Sequence, residues 1–237
     1  MLFIHLLVVM KITTYIVLLV SVIFLGCSET QKDVIIETWE NGQTKILNTY
    51  SNEQDTTTFI RTFFHSNGKL GSKGEIVNGE KNGLWEWWFD NGNRQDLAHL
   101  DKGKYIKERK HWREDGTLRQ IEIIEGHCLG ECCDGKLIFY NEDGFKWMTY
   151  NMKGGNYHGF GYGYYPDGSL ERKFYYDHGK KKGVSYEYYP NGVIRAEGNY
   201  QENLEEGKWI YKDSLGVIDG YEYFEKGKST KFEEVHH

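Results

Sequence analysis

Seven glycines, Gly68, Gly92, Gly116, Gly144, Gly168, Gly192 and Gly216, follow one another at intervals of 24, 24, 28, 24, 24 and 24 residues. A fixed period in the twenties means one supersecondary unit stacked many times. The residue before each glycine is Asn67, Asn91, Asp115, Asp143, Asp167, Asn191 and Leu215. Asn-Gly and Asp-Gly are strong turn signals because both residues tolerate positive φ. The chain therefore reads as a train of β-hairpins.

The unit has a grammar. Gly179 to Gly183 forms a G-x-x-x-G read as one turn, Val184 to Tyr189 a strand, Pro190-Asn191-Gly192 a second turn, and Val193 to Tyr200 the return strand. The same order recurs at Gly79–Gly83 with Leu84 to Phe89, and at Gly155–Gly159 with Tyr162, Tyr164 and Tyr165. Both prolines fall at the first corner of a turn, where their fixed φ fits and no ladder bond is lost. Five residues beyond the second glycine slot runs an aromatic column, Trp88, Trp112, Tyr140, Tyr164 and Tyr188, with Phe64 before it and Lys212 breaking it. Two residues beyond the turn glycine runs an apolar column, Leu70, Leu118, Leu170, Ile194 and Ile218, with Arg94 and Lys146 as exceptions. Such columns form ladders on one face of a sheet, and alternation predicts a polar opposite face.

The fold class expected is all-β: an elongated, single-layer antiparallel meander of repeated hairpins, open at its edges and preceded by a signal helix. Residues 34–58 read as a degenerate capping hairpin around Asn41-Gly42, residues 59–227 as the repeats with Tyr221 to Phe224 as the last strand, and residues 228–237 as a C-terminal tail. The G-x-x-x-G, the aromatic strand and the [Asn/Asp]-Gly turn resemble the MORN-repeat family in its bacterial variant form. The resemblance is complete at 79–92, 155–168 and 179–192, and weaker where Lys107 and Asn203 replace glycines. It implies scaffolding or binding rather than catalysis, and some members of the bacterial variant carry an antitoxin-like label.

The N-terminus carries an address. Met10-Lys11 precedes an apolar run from Ile12 to Leu25 that ends in Gly26-Cys27. A basic start, an apolar core and a small residue before the cut make a secretory signal over residues 1–27, with translation read as starting at Met10. The cysteine resembles the lipobox of bacterial lipoproteins, with Phe24 in place of the usual aliphatic residue. That resemblance implies that Cys27 is lipidated, that residues 28–33 are a short tether, and that Ser28 directs the chain to an outer membrane where one exists. Two or more acyl chains give stable anchoring.

Outside the signal, the 28-residue interval holds the remaining cysteines, Cys128, Cys132 and Cys133, beside His127. In an oxidising compartment a disulfide is their default use, and all three are candidates. Metal ligation by His127 and these cysteines is the alternative, set aside because the C-x3-C-C spacing is not that of a zinc knuckle. No cofactor is expected. No nucleophile elbow, phosphate loop or H-E-x-x-H is present, the histidines at 158 and 178 fall in or beside turns, and no catalytic residue is assigned. A net charge of −6 argues against nucleic acid as a partner.

Three functional readings remain. A lipid-anchored envelope protein whose sheet binds a protein partner is the first. A glycan-binding lipoprotein stacking sugars on Trp85, Trp87, Trp88, Trp112, Tyr140, Tyr164, Tyr188 and Trp147 is the second. The two separate on whether those rings are open to solvent. An antitoxin or immunity-type binder is a third, carried by the resemblance alone.

Overall fold

The computed structural model describes residues 31–128 and 133–236; the expected signal helix, Cys27 and Cys132 lie outside them. The first six strands are β1 (Lys32–Thr38), β2 (Thr44–Tyr50), β3 (Thr58–Phe64), β4 (Leu70–Val77), β5 (Glu80–Trp88) and β6 (Arg94–Asp101). Next come β7 (Lys104–Trp112), β8 (Leu118–Cys128), β9 (Asp134–Tyr140), β10 (Lys146–Lys153), β11 (Asn156–Tyr164) and β12 (Leu170–Asp177). The last are β13 (Lys180–Lys181), β14 (Gly183–Tyr188), β15 (Ile194–Gln201), β16 (Leu204–Lys212), β17 (Ile218–Glu225) and β18 (Lys228–Glu234). Every strand pairs antiparallel with the next, the short β13 and β14 sharing β12, in one open meander.

The asparagine-glycine turns are three-residue loops. In the first repeat Gly68 N–H donates to His65 O (2.9 Å) and His65 N–H to Lys69 O (2.8 Å), with Gly68 at φ +80°. That is a type I turn closed by a glycine bulge. Asn67 has two tasks: its Oδ1 accepts from Lys69 N–H (3.0 Å) and its Nδ2 donates to Asp90 O in the next turn (2.8 Å). Asn41, Asn91 and Asn191 reach the following turn in the same way. Asp115 and Asp167 lack the amide donor and accept from Thr117 and Ser169 within their own turns. Beside these turns a second column does one job with different chemistry. Trp39, His65, Arg113, Tyr165 and Tyr189 each direct a ring nitrogen, guanidinium or hydroxyl to the backbone carbonyl ending the next unit's strand.

The G-x-x-x-G is not one turn, as the sequence reading had it. Asn78 and Gly79 both have positive φ (+52° and +85°), as a two-residue type I′ hairpin requires, and β5 begins at Glu80. Gly83 sits instead at a bulge inside the hairpin, where the register shifts between Gly74 and Glu75. The weak units keep this geometry: Lys107 takes φ +63° at the bulge and Asn203 takes +74° at the turn.

The two sequence columns pair with each other across each hairpin: Phe64 with Leu70, Trp112 with Leu118, Tyr164 with Leu170, Tyr188 with Ile194. The exceptions are accommodated. Arg94 places its guanidinium over the Trp112 ring (5.6 Å) and Lys146 its ammonium over Tyr164 (3.8 Å), each on the neighbouring strand.

The opposite face is not the polar one expected. It carries a lateral row in which direct partners run Gly74, Trp85, Ala98, Arg109, Glu122, Leu137, Tyr150, Gly161, Phe174. The row continues through Ser185 and Gly198 to Trp209. A one-layer sheet has no second layer to cover it, so each face must bury its own apolar surface laterally. It does so by setting large residues against small ones. Trp85 is 2% exposed because its ring lies across Gly74 on one side and meets Ala98 on the other. Ile76, Leu100, Phe59, Trp87 and Tyr105 complete that cluster.

The chain also ends differently from the sequence reading. Tyr221 to Phe224 is not the last strand, and residues 228–237 are not a tail. Lys228–Glu234 adds β18, which pairs with β17. Its alternation of Lys, Thr, Phe and Glu leaves Phe232 62% exposed, so its pairing comes from the backbone ladder rather than from apolar burial.

Candidate functional site

The aromatic row is interrupted once by a group of charged side chains, next to the irregular 28-residue interval. β6 supplies Asp96, β7 supplies Arg109 and His111, and β8 supplies Gln120 and Glu122, all on the face of Trp85. Asp96 and His111 are direct cross-strand partners, as are His111 and Gln120, and Arg109 and Glu122.

His111 stands between two carboxylates. Its Nδ1 lies 2.5 Å from Asp96 Oδ1 and its Nε2 3.4 Å from Glu122 Oε1. Arg109 stands 3.5 Å from Asp96 Oδ1 and 3.9 Å from Glu122 Oε2, with its guanidinium 4.5 Å from the Tyr105 ring. Gln120 Nε2–H donates to Glu122 Oε1 (2.8 Å). All of these charged side chains are mostly covered. Burial opposes protonation of His111, but the hydrogen bond to Asp96 and the nearby Glu122 carboxylate outweigh it and raise the pKa above the ordinary 6.5. Burial likewise opposes the Glu122 charge, and the nearby His111 and Arg109 overcome it, lowering the pKa below 4.5.

The sign of the resulting pH dependence follows. A raised folded pKa means the His111 contribution is whole below pH 6.5 and is lost as pH rises through the folded value. The lowered Glu122 value means its contribution is whole above pH 4.5 and is lost as pH falls through the folded value. The cluster is therefore strongest between those two values. The urea midpoint should fall on the alkaline side, and His111→Gln should flatten that fall. An unchanged slope in the variant would show that His111 is not the group responsible.

Beside the cluster lies a cleft of about 460 Å³ whose lining includes Arg109, Glu122, Ile124, Leu137, Met152 and Cys133. Cys133 is disulfide-bonded. Cys128 ends β8 and its backbone pairs with Tyr105. The enlarged interval is thus where the repeat gives way to a cleft with charged and apolar walls.

The aromatic residues read from the sequence as stacking candidates are divided between the two faces. Trp85 and Trp87 lie on the row face; Trp88, Trp112, Tyr140, Tyr164 and Tyr188 lie on the other. Trp85 is buried and the other six are half-buried in their own ladders. Trp147, at the bulge in β10, is 46% exposed. Sequence reasoning missed Arg109, His111 and Glu122, although one signal was available. Arg109 stands one 24-residue step after the Trp85 position.

Residues 181–202 match a family model described as MORN repeat variant. The match supports the MORN repeat family. It covers β14 and β15 and their Pro190-Asn191-Gly192 turn, within the unit whose sequence grammar is complete. No curated protein matches the chain. A similar solved structure is a porin-like protein from Bacteroides uniformis, 10% identical, with 84% of this chain and 91% of that chain covered and a TM-score of 0.22. At that TM-score the likeness carries no argument.

Proposed function

We propose that the chain is a non-enzymatic lipoprotein of the cell envelope, tethered through Cys27, whose repeat sheet is a scaffold for a protein partner. The observation that supports this reading is the fate of the aromatic residues. Trp85 is buried against Gly74 and Ala98, and the column rings are half-buried beside the apolar column they pair with, so they serve the sheet's own cohesion rather than standing free to stack on sugars. The long sheet, its row broken by the Arg109–His111–Glu122 cluster and its cleft, then offers a partner one chemically distinct place to dock. An immunity-type binder is the same arrangement with a toxin as the partner, and the partner's identity separates the two.

The test is crosslinking in native membranes followed by pull-down. Wild type should recover one envelope protein reproducibly. Cys27→Ser should lose the membrane fraction and that protein together, and Arg109→Ala should stay anchored but recover less of it. An anchored wild-type chain that recovers no protein would overturn the reading. Trp147 is the exposed tryptophan on which the glycan alternative then rests, and Trp147→Ala on a glycan array is its test.

A further inference from the structure

Two histidines read from the sequence as turn residues are brought together by the β11–β12 pairing and the β12–β13 turn that follows it. His158 lies on β11, beside the Gly159–Tyr176 pair, and Asp177 ends β12 next to that pair's other member. His178 follows as the first residue of the two-residue turn, with φ +48°. His178 Nδ1 lies 2.7 Å from Asp177 Oδ1, and His158 Nδ1 lies 3.8 Å from the same oxygen. One ligand atom from each of the three falls within 4.8 Å of the others. The rings are 5.8 Å apart at 74°, so they converge on the carboxylate without stacking.

We propose that His158, Asp177 and His178 form a binding site for a divalent transition-metal ion of the zinc type. Two imidazoles and one carboxylate are the donor set such ions prefer over calcium or magnesium. Tetrahedral bonds of about 2.1 Å place donors roughly 3.4 Å apart. The two separations to Asp177 Oδ1, 2.7 and 3.8 Å, bracket that value. The backbone is already held, because Gly179 N–H donates to Tyr157 O (2.8 Å) and clamps the turn against the strand carrying His158. Lys182 stands 3.5 Å from the other carboxylate oxygen, Oδ2, leaving Oδ1 to the ion. The exposed side leaves the remaining coordination positions to water. The pairing is peculiar to this unit: the positions one period before and after His178 are Gly154 and Glu202, and those around His158 are Asp134 and Lys182.

The experiment is titration of the metal-free full chain, in detergent, with Zn²⁺ by calorimetry and with Co²⁺ by visible absorption. Wild type should take up one ion per chain and give Co²⁺ bands of low-coordinate type. His158→Ala, His178→Ala and Asp177→Asn should each weaken binding by about tenfold or more. His111→Gln, and replacement of the terminal His236 and His237 by Ala, should leave affinity unchanged. All three hairpin positions are surface-accessible, and unchanged far-ultraviolet circular dichroism will separate ligand loss from unfolding. Binding that survives His158→Ala at wild-type affinity, that disappears with the terminal histidines, or that is absent at millimolar Zn²⁺ overturns the proposal.

Discussion

Replacing Trp85 with alanine should cost about 3–5 kcal/mol of stability. The ring is 2% exposed, its Nε1–H donates to Glu75 O (3.0 Å), and Lys81 holds an ammonium 4.3 Å from its centre. Truncation would remove one of the two tryptophans in the row and leave Glu75 O without that donor. Gly74 cannot fill the space, having no side chain. The comparison that gives the number meaning is Trp147→Ala, an exposed ring, which should stay within about 0.5 kcal/mol of wild type. Urea unfolding followed by fluorescence and circular dichroism checks both. Equal effects would show that the row is not what holds the sheet.

Gly198→Ala should destabilise even though the position is an ordinary strand residue. In an extended, open site the substitution would stabilise by about 0.4–1 kcal/mol by restricting the unfolded chain. Here a β-carbon would lie 2.2 Å from the ring carbons of Trp209, a distance that forces the indole to move. Trp209 is 4% exposed and packs against Tyr200 and Phe224, so it has little room to do so. The expected cost is about 1–3 kcal/mol, the range for overpacking. A double-mutant cycle isolates the cause: with Trp209→Leu in place, Gly198→Ala should be neutral or stabilising. Additive costs would contradict the large-against-small account of the row.

These two residues show what the sequence could and could not disclose. The turns were legible because Asn-Gly and Asp-Gly act locally, and the spacing of seven glycines placed seven of them. The aromatic and apolar columns were also legible as ladders on one face, since both repeat along the chain; that they pair with each other came from the register. The row through Trp85 was not legible. Its periodic positions hold Trp85, Arg109, Gly161, Ser185 and Trp209, which share no chemistry. What they share is a partner of complementary size on the preceding strand, Gly74 for Trp85, Ala98 for Arg109, Tyr150 for Gly161 and Gly198 for Trp209, and that relation appears only once the register is known. The charged cluster was hidden for the same reason. Asp96, His111 and Glu122 come from three strands and read in sequence as ordinary surface charge. The G-x-x-x-G was misread because two glycines of positive φ do different work, one closing a turn and one bending a strand. The last strand was missed because β18 is polar and is held mainly by backbone bonds. His158 and His178 were set aside as scattered, and only the hairpin places them side by side.

The scaffold role requires one open sheet rather than a closed core. Solution X-ray scattering from the soluble chain beginning at residue 28 measures that directly. A compact globule of this length would have a radius of gyration of about 17 Å. Eighteen strands at about 4.8 Å spacing extend roughly 80 Å before twist shortens them. The account predicts a radius of gyration above about 20 Å with the scattering of an elongated particle. A value near 17 Å with a globular profile would contradict it.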